Sequence, residues 1–256
     1  MSFPDFFLSD FELAHESWHD VLLQGLNALE SSHPDYLTAL ANSSFLPSQH
    51  RLFSAFSIPL SDVKYILMGE GPYPRELSAT GYCFMDGAVT QLWSSDPNAG
   101  LSKEVNRATS LRNFIKMLMV ADGQINVDTS VGAIAPLAQL MRSQPHVYVQ
   151  TMSDLQGNFI KQGFLMLNAS LVFRSTVEPA VDARAWHVFL DLVLHSLAQQ
   201  AQKPNLILWG KIADRLMTIP AVSELNVLAS EHPYNLSFIR NQTMQQLFSS
   251  FQLLHR

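Results

Sequence analysis

Three short patterns in this 256-residue chain place residues in an order that known chemistries use. His15-Glu16-Ser17-Trp18-His19 sets two histidines one helical turn apart with a glutamate between them, as in a zinc site that activates water. Nothing nearby supplies a convincing third-ligand motif, so the pattern reads as a surface helix with two solvated histidines and a buried Trp18. Gly69-x-Gly71 lacks the third glycine of a dinucleotide-binding turn and runs into Pro72. Gly210-Lys211 ends an apolar run, but the glycine-rich stretch of a phosphate loop is missing before it. No metal and no cofactor is expected. What remains is a set of reactive side chains at the ends of four apolar runs: Gly69-Glu70-Gly71-Pro72-Tyr73, Asn168, Gly210 and His232-Pro233.

The elements that must carry these groups alternate. Residues 63–68, 164–168, 206–210 and 226–229 are short apolar runs with strand character, and the first ends at Gly69. Helical spacing appears from Ser17 onward through the first forty residues, over 50–56, over 110–120 with Ser110 as N-cap, over 135–141, over 185–200, from Ile212, and over 242–254. The stretch 122–153 is otherwise hard to read. Strands alternating with helices predict an α/β fold with a mostly parallel sheet, in which ligands bind beyond the carboxyl ends of the strands.

Composition narrows the class. With 47% hydrophobic and 15% charged residues the chain can bury a large core and is not disordered. No apolar run approaches the roughly 18 residues of a membrane span, and the acidic N-terminus does not resemble a signal peptide. Cys83 is the only cysteine, which excludes an internal disulfide and a cysteine-held cluster. A net charge of −6 argues against a surface that grips nucleic acid everywhere, yet permits a local contact. A single cytoplasmic domain over 1–256, monomeric and away from membranes, is expected.

Five segments then match one family in order. Met68-Gly69-Glu70-Gly71-Pro72-Tyr73-Pro74 resembles the water-activating loop of uracil-DNA glycosylases, usually GQDPYH. Ala79-Thr80-Gly81-Tyr82-Cys83-Phe84, Leu165-Met166-Leu167-Asn168 and Leu208-Trp209-Gly210 resemble the strands that follow, and His232-Pro233-Tyr234-Asn235-Leu236-Ser237 resembles the minor-groove loop, usually HPSPLS. Ser110-Leu111-Arg112-Asn113 is similar to the family's Pro-Pro-Ser-Leu helix start. Taken singly, each residue is as well explained by packing or by a turn; the joint order carries the resemblance.

The resemblance implies a three-layer α/β sandwich: a central, mostly parallel four-stranded sheet with helices on both faces. It also implies a substrate, DNA containing uracil or another altered pyrimidine, whose base is flipped out of the stack. Phe84 would stack on that base, Asn168 would read its edge with an amide donor and acceptor, and Tyr73 would stand where a thymine methyl projects. His232 would hydrogen-bond O2 of the departing base. Leu236 would fill the vacated stack. Ser110, Gly210 and Ser237 would touch phosphates, and Lys211 and Arg240 stand beside them as further DNA contacts.

The departures fall in the same segments. The family's general-base aspartate falls at Gly71, its glutamine at Glu70 and its histidine at Pro74. Glu70 and the later Glu76 resemble a pair found in the iron–sulfur branch of the superfamily, where Glu70 would orient water and Glu76 or Asp86 would assist. Both are equally read as solvated loop acids. Two functions follow: a glycosylase with a relocated carboxylate, or an inactive homologue that binds DNA or a protein. The 122–153 stretch is the candidate protein-partner surface.

Overall fold

A computed structural model describes residues 5–256. Strands β1 (Tyr65–Gly69), β2 (Phe164–Asn168), β3 (Asn205–Trp209) and β4 (Asn226–Ser230) form one all-parallel sheet in the order β2-β1-β3-β4. All five residues of β2 are buried, as in a parallel sheet covered on both faces, which is why its sequence is a continuous apolar run without alternation. The register sets Gly69 opposite Asn168 and Met68 between Leu167 and Leu208.

The helices are α1 (His19–Ser32), α2 (Tyr36–Ala41), α3 (Lys103–Arg107), α4 (Thr109–Ala121), α5 (Val131–Ser143), α6 (Met152–Lys161), α7 (Pro179–Ala198), α8 (Ile212–Leu216) and α9 (Gln242–Ser249). The described residues divide into two compact units, each made from two separated stretches of chain. One runs up to Asp86 and resumes over Gly163–Ala229; the other takes Gly87–Gln162 and Ser230–Arg256. Among the described residues no helix is long and apolar enough to cross a membrane.

In the first unit α1 packs along α7. Gly25 permits their close approach, because a Cβ there would lie 2.5 Å from the Phe189 ring. A buried network ties α2 to α7 and to the loop after β2: Arg174 donates twice to Asp182, at 2.6 and 3.2 Å, and Tyr36 donates to the same carboxylate at 2.6 Å. In the second unit Phe114 of α4 packs against Phe159, Phe238 and Phe248. Asn158 of α6 donates to the carbonyls of Leu253 and His255, which holds the C-terminal tail.

Several expectations are corrected. Ser110 lies inside the first turn of α4, and Ala108 is the cap. Helix α7 begins at Pro179, six residues earlier than expected, because a proline is well suited to the first turn. The last helix stops at Ser249, and Phe251, Leu253 and Leu254 are buried from a non-helical tail. Residues 50–56 form turns and a short 3₁₀ segment rather than an amphipathic helix. His15 is an extended cap residue whose Nδ1 accepts from the Ser17 backbone, so His15 and His19 do not share a helix. His19 is not a solvated histidine: its Nε2 is buried and its ring meets Phe11 edge-on. Trp18 is fully buried, donating to the Ile58 carbonyl at 2.7 Å. The unread 122–153 stretch contains α5, capped by Ser130, and exposes Val127, Val131 and Leu140.

Candidate active site

Within the first unit, three expected residues gather at the carboxyl ends of the strands. Asn168 closes β2 with its side chain lying across Gly69. A Cβ on Gly69 would come within 2.5 Å of Asn168 Oδ1 and 2.6 Å of Cys83 Cβ, so only glycine fits between them. Asn168 is 3% exposed, and its Oδ1 is buried without a hydrogen-bond partner. Leaving such an acceptor unmet costs about 1–3 kcal/mol. The arrangement therefore holds an acceptor ready for a donor that the polypeptide itself does not supply.

Phe84 follows Cys83 and is half-buried, with its ring 4.9 Å from that of Trp209 in an edge-on contact. Its φ of 59° is in the left-handed region, a strain of about 1–2 kcal/mol for a side chain with a Cβ. Strain of this kind persists where the surroundings over-determine the conformation, and it clusters at ligand sites. The surroundings here are firm: Cys83 N–H donates to the Met166 carbonyl, and Cys83 Sγ to that of Leu67. Burial pushes the Cys83 thiol well up, so it packs as a neutral group. Tyr73 is also held neutral, its phenol raised by burial and by the nearby Asp86 carboxylate.

The loop between β1 and this cluster is more open. Glu70, Gly71 and Tyr73 line a cavity of about 380 Å³ with Ser170, Phe173 and Arg215. The Glu70 carboxylate is 73% exposed and pairs with Arg215, a residue of α8 that no local sequence signal marks as a partner. Gly71 lacks the positive φ that demands glycine, and a Cβ there would meet only Ser170, at 3.7–3.8 Å. A Cβ fits there without strain. Glu76 is not brought to this cavity. It accepts from Ser48 at 3.0 Å and lines another cavity, of about 460 Å³, with Ser48 and His50. Asp86 is buried and pairs with Arg75 at 3.6 Å. Gly210 turns the chain from β3 towards α8 with φ 72°, and Lys211 beside it is exposed.

The remaining expected residues belong to the second unit. The Tyr234 N–H donates to His232 Nδ1 at 3.0 Å, which makes Nδ1 an acceptor and leaves the proton of the neutral ring on Nε2. The following 3₁₀ turn, Leu236–Arg240, is two-faced. Phe238 and Ile239 are buried beneath it, while Leu236, Ser237 and Arg240 face solvent, Leu236 with 70% of its surface exposed. Ser110 is half-buried in the first turn of α4. Among the described residues no cluster of three His, Cys, Asp or Glu side chains could hold a metal.

No family model matches this sequence. Uracil-DNA glycosylase of Helicobacter hepaticus is 28% identical over 205 residues, 79% of this chain and 74% of that protein. The crystal structure of wild-type UNG from Nitratifractor salsuginis is 40% identical, with a TM-score of 0.87 over 97% of this chain and 96% of that one. The chain belongs to the uracil-DNA glycosylase family. Mimivirus uracil-DNA glycosylase, 20% identical with a TM-score of 0.54 over 90% of this chain, shares the fold. The α/β class and parallel four-stranded sheet that the resemblance implied are those observed, and they are the fold of uracil-DNA glycosylases.

Proposed function

We propose that this uracil-DNA glycosylase homologue hydrolyses the N-glycosidic bond of a uracil, or of a related altered pyrimidine, flipped out of DNA. The observation that carries the reading is Asn168: a buried amide locked across Gly69, with an acceptor oxygen that no protein donor meets. A pyrimidine edge with a ring N–H beside a carbonyl complements that amide; cytosine, which lacks the N3–H, does not. Phe84, held in a strained backbone next to the same strand ends, offers an aromatic face to the base. Tyr73, neutral and part-buried, closes the side on which a methyl would project.

The bond between C1′ and the base nitrogen breaks with its electron pair leaving on the base, and a water oxygen bonds to C1′. His232 Nε2–H stabilises the departing anion by donating to O2. Glu70 takes over from the aspartate that Gly71 lacks, orienting the water and accepting its proton. Exposed Leu236 fills the gap in the stack, and Ser110, Gly210, Lys211, Ser237 and Arg240 contact the backbone; these need few net charges, which reconciles the reading with a chain of net charge −6. One observation favours a second reading, a homologue that binds without cutting: at Gly71 the carboxylate is absent, and Glu70 is engaged by Arg215.

Uracil-containing single- and double-stranded oligonucleotides, followed by alkaline cleavage of abasic sites, separate the two. The natural protein is expected to cut, Glu70→Gln to cut more slowly, and Gly71→Asp to cut about 10²–10⁴-fold faster, the range of a general base. Cutting only after Gly71→Asp establishes an intact pocket without its base. If neither protein cuts or binds, the uracil reading fails.

A further inference from the structure

Asn113 is a wholly buried polar residue, 0% exposed, in the middle of the apolar face of α4. Asparagine is a poor residue for a helix interior, and a buried amide is costly unless its hydrogen bonds are met. They are met by the loop that carries His232. Asn113 Nδ2 donates to the Pro233 carbonyl at 2.8 Å and to the Tyr234 carbonyl at 3.3 Å. Its Oδ1 accepts from Arg112 Nε at 3.4 Å, and Arg112 Nη1 is anchored on the Asn106 carbonyl at 3.0 Å. Both loop carbonyls can only accept, so they fix the NH2 end of the amide towards the loop, and Arg112 supports that orientation from the other side.

The consequence reaches the imidazole. With the carbonyls of 233 and 234 drawn to α4, the peptide N–H of Tyr234 is left to point at His232 Nδ1, 3.0 Å away. The Asn235 N–H closes the same turn on the His232 carbonyl at 2.9 Å. We propose that Asn113 is a positioning residue for His232: by holding the Pro233 and Tyr234 carbonyls it keeps Tyr234 N–H on Nδ1 and the ring proton on Nε2. The inference rests on the reading of His232 as the donor to the departing base, and it adds what sets that donor. Arg112 acts one step further out, through the amide.

The test reads the ring directly. Protein labelled with ¹⁵N-histidine, at a pH where the ring is neutral, reports the tautomer of His232, its signals identified by their loss in His232→Gln. The natural protein is expected to show the Nε2–H tautomer alone. In Asn113→Ala and Asn113→Asp, which lose both donations, a mixture of tautomers is expected, together with a fall in kcat of about 10²-fold at little change in KM, the scale of a misplacement near 1 Å. Arg112→Met leaves both donations of Asn113 in place and removes only the contact to its Oδ1. It is expected to shift the tautomer in the same direction but by less, and it is the variant read if the Asn113 variants do not fold. An unchanged single tautomer in the folded variants overturns the inference. Because the tautomer is read without DNA, a natural protein that fails to cut uracil sinks the catalytic reading and leaves this result standing on its own.

Discussion

Asn168 and Glu70 stand on neighbouring strand ends, one residue apart in register, and are built in opposite ways. Asn168, opposite Gly69, is 3% exposed. The Glu70 side chain is 73% exposed, although the Ser170 N–H donates to its backbone carbonyl only two residues beyond Asn168. The amide is placed by atoms packed around it: Gly69 beneath, Cys83 beside it, and the strained Phe84 next in the chain. The carboxylate is placed by one ion pair in water, which contributes only about 0–1 kcal/mol. On the proposed reading, a group that recognises a base by two hydrogen bonds needs a fixed, dry position. A group that orients water can sit at the solvent edge and be replaced by a neighbour. The contrast separates a position that packing fixes from one that solvent leaves free to vary.

The largest effect expected from testing the contrast is on the rigid side. Asp182→Ala removes the acceptor shared by Arg174 and Tyr36 and leaves a part-buried guanidinium unpaired, so unfolding free energy should fall by about 3 kcal/mol, the low end for breaking a buried pair. Denaturant titration measures this. A loss under about 1 kcal/mol would mean that the loop after β2 is not braced by that network.

The two glycines of the loop give a sharper comparison. Gly69→Ala forces a Cβ into Asn168 and Cys83 and should cost about 1–3 kcal/mol along with uracil binding. Gly71→Ala makes only ordinary van der Waals contact with Ser170 and should stay within about 0.5 kcal/mol of the natural protein. Equal melting shifts for the two would erase the distinction. The smallest effect belongs to Arg215→Ala, expected to change stability by less than about 1 kcal/mol, with any difference vanishing as salt rises. A large, salt-insensitive loss there would show that the Glu70 side is as rigid as the Asn168 side.

Legibility followed the range of the interactions. β2 was readable to the residue because Phe164–Asn168 is a buried apolar run that starts after Gly163 and ends on a polar side chain. The start of α7 at Pro179 is also written locally, in a proline at the first turn, but the amphipathic pattern strengthens only from Ala185. The end of α9 was not local. Phe251, Leu253 and Leu254 continue the apolar content past Ser249, but they are buried through bonds to the distant Val149 and Asn158. The site divides in the same way. Tyr73, Phe84, Asn168 and His232 are marked by their order in family motifs, whereas the partners of Arg215 and of the Asn113 NH2 group come from remote loops: Glu70 lies 145 residues from Arg215, and Pro233 lies 120 from Asn113.

The amino-acid sequence by itself determined the strand-and-helix alternation, the family and the residue types available at each strand end. These depend on the spacing of apolar groups and on short motifs that survive substitution elsewhere. Only the tertiary structure decided that Gly69 must be glycine while Gly71 need not be, that Glu76 faces a different cavity from Glu70, and that Asn113 reaches the carbonyls of Pro233 and Tyr234. Each of those turns on a distance of a few ångströms between residues at least 28 apart in the chain, and linear order does not encode such distances.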